Sequence, residues 1–113
     1  REVLDILERY GAAYCIVSAP RLPVLVDSTC DFAYVRFHGV TAWYNYNYSL
    51  KELREWAERI RGLHVDRTYI YFNNDPHGYA VRNAKTLIRL LQQSPGSPKP
   101  EAASDAGLKA LEV

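Results

Sequence analysis

Apolar and polar residues alternate along this chain with two different periods. In residues 2–10, Val3, Leu7 and Tyr10 recur at helical spacing with Leu4 and Ile6 beside them, and Gly11 follows as a helix-ending residue. A short amphipathic helix is expected there. Residues 13–18 form an apolar run of strand formers that closes on Ala19-Pro20, where a proline would interrupt ladder pairing, so a buried strand follows. Residues 21–31 show no clean period and are expected to be loop. Residues 32–38 then alternate strictly, with Ala33, Val35 and Phe37 on one face and Tyr34, Arg36 and His38 on the other, and Gly39 ends the run. Next comes the aromatic stretch Trp43-Tyr44-Asn45-Tyr46-Asn47-Tyr48. Ser49 and Glu52 have the spacing of a capping box, ahead of a helical stripe of Leu50, Leu53, Trp56, Ala57 and Ile60. Residues 68–74 make a third two-faced strand, Ile70 and Phe72 against Tyr69, Tyr71 and Asn73. A turn over residues 74–78 leads into a last helix carrying Ala80, Ala84, Leu87 and Leu91 on one face. In that turn Asp75 is expected to cap, with Pro76 at the first helical position.

Strands separated by helix-length segments favour a parallel sheet, which makes the expected class α/β, built of parallel β/α units with three strands and three helices. From residue 93 the composition turns to Pro, Ser and Ala with too little apolar density to pack. Residues 1–92 are therefore read as one folded unit, and residues 93–113 as a disordered tail.

The chain has 113 residues, enough for one modest core, and 48% hydrophobic against 24% charged residues is the balance of a globular domain. A formal net charge of +1 recommends neither a polyanion nor a polycation partner, which weighs against nucleic acid. No apolar run reaches the roughly 20 residues that span a bilayer, and no charged-then-apolar leader opens the chain. A cytoplasmic location, without membrane association, is the expectation. Cys15 and Cys30 are too few and too far apart for a disulfide framework or a zinc knuckle, and both are read as reduced thiols.

Candidate chemistry collects where the strands end. Arg36 and His38 share one strand face at its C-terminal tip, and Asn73 holds the corresponding place on the last strand, with Asn74, Asp75, His77 and Gly78 just beyond. In parallel α/β sheets ligands bind at that end. Arg offers a bidentate fork, Asn a donor and an acceptor, and His a proton that moves near neutral pH. The competing explanation is that Arg36 pairs with a buried carboxylate and His38 hydrogen-bonds internally. For Asn73 and Asp75, turn and capping roles compete equally. Trp43, Tyr46 and Tyr48 could stack on a ligand or simply close over the strand ends. His38, Asp75 and His77 are metal-ligand types without metal-ligand spacing, so no metal is assigned and no cofactor is indicated. No GxGxxG, Walker or GxSxG motif is present.

These blocks have a familiar look. FAYVRFHG (residues 32–39), the Trp- and Tyr-rich loop, and YIYFNNDPHGYA (residues 69–80) together resemble the YecE-like family, domain of unknown function 72, over residues 2–91. The resemblance implies a TIM-barrel-like fold, a cytoplasmic prokaryotic protein, and an activity not established for the family. Members of the family are much longer, so the chain resembles their C-terminal part, the last three strands of the barrel. The family's N-terminal strands, which bring acidic and aromatic residues to the same mouth, have no counterpart here. A complete barrel needs eight strands and about 250 residues, and three strands alone leave an unpaired edge on each side. N-terminal barrel strands or self-association are therefore expected to complete it. The expected function is binding of a small anionic ligand, phosphorylated or polyhydroxy, at the mouth. Arg36 would hold the anion, His38 would serve as acid or base, Asn73 would orient the ligand and the aromatic loop would act as lid. The alternative is a non-enzymatic binding or interaction module, for single-stranded nucleic acid among other partners. A third is a structural segment with no site of its own.

Overall fold

Helix α1 (Glu2–Arg9) opens the computed structural model, which describes residues 1–93, followed by strands β1 (Cys15–Ser18) and β2 (Phe32–Phe37) and helix α2 (Leu50–Arg61). Strand β3 (Arg67–Phe72), a single 3-10 turn (Pro76–Gly78) and helix α3 (Tyr79–Gln92) complete it. The expected tail lies outside the described residues, apart from Gln93, which forms a bend.

The strands form one sheet in the order β1-β2-β3, all parallel. Register sets Cys15 beside Tyr34 and Tyr34 beside Tyr69, then Val17 beside Arg36 and Arg36 beside Tyr71. Because neighbours in register point to the same side of a sheet, each strand contributes to two continuous layers. One layer, Ile16, Val35, Phe37 and Ile70, is buried under α2 and α3 and packs on Leu53, Trp56, Ala57, Ile60, Leu87 and Leu90. Phe37 lies at its centre, stacked on Phe72 at 4.5 Å and edge-on to Tyr48 and Trp56. The other layer carries Phe32, Tyr34, Arg36, Tyr69 and Tyr71 and is only half-buried.

The capping box of α2 forms as the sequence indicates. Ser49 accepts from the Glu52 amide at 3.1 Å while the Glu52 carboxylate accepts from the Ser49 amide at 2.9 Å. The end of α1 is a Schellman motif, with Gly11 at φ +64° and the Ala12 amide donating to the Leu7 carbonyl.

Three expectations are corrected. The α1 stripe of Val3 and Tyr10 faces solvent, 65% and 77% exposed, while Leu4 is the buried residue, because among the described residues only the Leu4 side meets the rest of the chain. Asp75 makes no capping hydrogen bond: Pro76 takes the first position of the 3-10 turn, and α3 starts after Gly78, held at φ +72°. Asn73 and Asn74 fall just past β3, although the Asn73 amide still donates to the Phe37 carbonyl at 2.8 Å and so prolongs the pairing.

Candidate functional site

At the C-terminal end of the sheet's open face, Arg36 lies diagonally across from Asn73. Its Nε and Nη2 both donate to the Asn73 Oδ1, at 3.2 and 2.9 Å. The guanidinium also sits 5.9 Å from the centre of the Tyr71 ring, which in turn stacks on Tyr34 at 5.4 Å. None of the ion pairs among the described residues involves Arg36. The buried carboxylate that would have explained Arg36 structurally is thus not supplied by this part of the chain, and a neutral amide orients the charge instead.

His38 follows on the same face. Its ring lies 5.6 Å from Trp43 and 5.7 Å from Tyr44, and its Nδ1 is buried with no hydrogen-bond partner among the described residues. Burial first, and the Arg36 charge second, hold its pKa below the ordinary imidazole value. Neutral imidazole therefore dominates near pH 7, with one nitrogen left to accept a proton or a hydrogen bond.

The loop over these residues is built by unusual backbone. Gly39 has φ +119°, and a Cβ there would lie 2.0 Å from the Ala42 carbonyl oxygen, so only glycine fits. Tyr44 adopts φ +67° and its amide donates to the His38 carbonyl at 2.6 Å, which folds Trp43 and Tyr44 back against the imidazole. Trp43 and Tyr44 remain 40% and 50% exposed.

The other expected site residues divide by burial. The Tyr48 hydroxyl accepts from the Gly39 amide at 2.9 Å and shares a 2.8 Å hydrogen bond with Ser18 Oγ, beneath the loop rather than at its surface. Tyr46 donates its hydroxyl to the Glu52 carboxylate at 2.8 Å, and burial together with that bond pushes its pKa up to about 12. Asn74 is fully buried. Its Nδ2 donates to the Tyr46 carbonyl and to Asn83 Oδ1, while Asn83 in turn donates to Asn47 and accepts from the Tyr48 amide. This amide network ties the aromatic loop to α3. In this chain Tyr46, Tyr48 and Asn74 hold the loop in place through their hydroxyls and the Asn74 Nδ2, while Asn74 Oδ1 is buried with no hydrogen-bond partner among the described residues. Asp75, His77 and Gly78 are exposed in the turn before α3, where His77 takes φ +60° with its ring 5.2 Å from Tyr79. They do not join a metal cluster: no group of three or more His, Cys, Asp or Glu comes together among the described residues.

Two features escaped the sequence reading. Asn83 is a polar position on α3 that the sequence analysis does not single out, and nothing in its spacing signals that it is buried and bonded to the loop. Tyr44 stands next to Trp43 in sequence, but its contact with His38 depends on a left-handed backbone that sequence rarely announces for tyrosine.

Parallel strands in sequential order, helices on one face and a half-covered polar face on the other define an arc of a β/α barrel with its mouth at the Arg36 end. The chain belongs to the family described as "Protein of unknown function DUF72", whose model matches residues 1–106. Among solved structures it is similar to a DUF72 family protein from Thermotoga maritima, at 32% identity and TM-score 0.75, covering 82% of this chain and 42% of that one. It is also similar to a DUF72 family protein from Enterococcus faecalis, at 22% identity and TM-score 0.75, covering 83% of this chain and 43% of that one. These neighbours have a TIM-barrel-like fold, of which this chain covers only part. No curated protein matches the chain. No helix among the described residues is long and apolar enough to cross a membrane.

Proposed function

We propose that the Arg36 end of the sheet is a ligand-binding mouth for a small anionic molecule, phosphorylated or polyhydroxy. The observation that carries this reading is the Arg36 guanidinium, aligned by the neutral Asn73 amide and without a carboxylate partner among the described residues. A half-buried cation of that kind favours an anionic partner, because a neutral amide and a tyrosine ring offset its desolvation without neutralising its charge. His38, kept neutral by burial and by Arg36, acts as the proton acceptor if the ligand reacts. Trp43 and Tyr44 serve as the lid. The first turn of α3 carries no acidic residue and no side-chain cap, which suits an anion approaching from the turn at residues 75–78.

Neither β1 nor β3 has a second strand partner among the described residues, so further strands or a second copy of the chain close the opposite wall. Free thiols at Cys15 and Cys30 suit the reducing cytoplasm. The second reading, a non-enzymatic module that stacks bases or other flat ligands, draws on the exposed Trp43 and Tyr44 side by side. Thermal shift with inorganic phosphate and glucose 6-phosphate tests the first reading. A rise in melting temperature that disappears in Arg36→Ala supports it. A rise of equal size in Arg36→Ala overturns it, and steep loss of single-stranded nucleic acid binding with added salt supports the second.

A further inference from the structure

A second candidate site lies in the helical layer, away from the mouth. Between α2 and α3 runs a cavity of about 410 Å3, within the range of small-molecule sites. Both of its walls belong to this chain, so it needs no further strands to be complete. Leu53 and Leu90 give it a buried apolar floor, and Leu50 extends that floor to the surface. Arg82 and Arg89 line it from α3. They stand seven residues apart, which on a helix means two turns, the same side, and about 10.5 Å along the axis.

No carboxylate lines this cavity, and α3 carries Arg82, Lys85 and Arg89 with no Asp or Glu at all. Arg89 Nε is buried without a hydrogen-bond partner among the described residues. Arg82 is exposed and donates one N–H to the His77 carbonyl at 2.7 Å, which leaves its other donors for a ligand. At the rim, the Asn47 side-chain Oδ1 accepts from Asn83 Nδ2 at 3.0 Å, so the Asn47 NH2 group remains as a further donor. Between the two arginines α3 lines the cavity with Asn83 and Thr86, and Leu50 and Leu53 face it from α2, so two cations two turns apart share one partly apolar cleft. We propose that it binds an elongated dianion, a molecule with an anionic group at each end and an apolar middle, one end held by Arg82 and the other by Arg89. Planar guanidinium forks suit carboxylate and phosphate equally.

Calorimetric titration with linear dicarboxylates from succinate through suberate to sebacate tests this directly. Affinity is expected to rise with chain length and to peak where the carboxylates reach both arginines. Arg89→Ala and Arg82→Ala are each expected to weaken suberate binding about tenfold or more, in keeping with loss of a charge-assisted hydrogen bond, with Arg89→Lys retaining part of it. Because Arg82 is exposed, its variant reports on binding even if Arg89→Ala disturbs packing. In Arg36→Ala the dependence of affinity on chain length is expected to persist, which separates this site from any anion held at the mouth. Failure of every dicarboxylate to bind, wild-type suberate affinity in both Arg82→Ala and Arg89→Ala, or loss of binding in Arg36→Ala alone would overturn the proposal.

Discussion

The two faces of the sheet are made from the same strands and differ in almost everything else. On the helix side, Val35, Phe37 and Ile70 meet α2 and α3 and are at most 3% exposed. On the open side, one residue along each strand, Tyr34, Arg36, Tyr69 and Tyr71 are half-buried: Tyr71 stacks on Tyr34 and lies beside the Arg36 guanidinium, and Tyr69 meets Phe32 edge-on. Strand alternation lets stability and chemistry be assigned to different residues of one element. The helix-facing side closes on itself within this chain. The open side holds a charge and a row of rings that no helix of the described residues covers, and an imidazole that only Trp43 and Tyr44 of the loop cover.

That contrast is sharpest where a deletion is largest. Phe37→Ala removes the ring at the centre of the aromatic cluster and is expected to cost about 3–5 kcal/mol, read as a lower urea midpoint. Tyr34→Ala, on the opposite face of the same strand, is expected to cost only about 0.5–1.5 kcal/mol, the worth of its stack on Tyr71. Similar losses for the two variants would break the distinction.

The loop that joins the faces is expected to be the next most sensitive region. Gly39→Ala forces a Cβ into the Ala42 carbonyl at a positive φ. The backbone conformation alone costs about 1–3 kcal/mol, and near-ultraviolet circular dichroism should report displacement of Trp43. Asn83→Ala orphans the Tyr48 amide and one donor of Asn74, at about 1–3 kcal/mol. Asn83→Asp, which keeps the acceptor, is expected to restore part of that loss in the same denaturation experiment.

The smallest expected effect is a pH dependence. His38 has a lowered pKa in the folded state, so between that value and the unfolded value of about 6.5 the unfolded chain binds more protons. Stability should therefore fall as pH drops through about 6.5. Urea midpoints measured from pH 7.5 down to 5 are expected to show a shallower decline in His38→Gln than in the wild type.

Much of this division is legible in the sequence. Residues 32–38 alternate so cleanly that both faces of β2 and the position of Arg36 and His38 at its tip follow from period two, and Ser49 with Glu52 announces α2. What was not legible depends on contacts between distant segments. Val3 and Tyr10 carry a helical period that reads as core, but periodicity shows only that a face is apolar, not whether a partner covers it. Asn74 and Tyr48 have residue types that suit a ligand, and their burial under the loop is decided by Asn83 and Ser18, 9 and 30 residues away. The left-handed Tyr44 and His77 belong to tertiary strain, which local propensity does not encode.

The assignment of the open face to function rests most heavily on Arg36, and one paired measurement decides it: the unfolding midpoint and the phosphate response of Arg36→Ala against the wild type. If the open face exists to bind an anion, the variant should unfold at nearly the wild-type midpoint and lose the phosphate-induced rise in melting temperature. A variant that is markedly destabilised yet still responds to phosphate as the wild type does would show that Arg36 is a structural residue and that the mouth lies elsewhere.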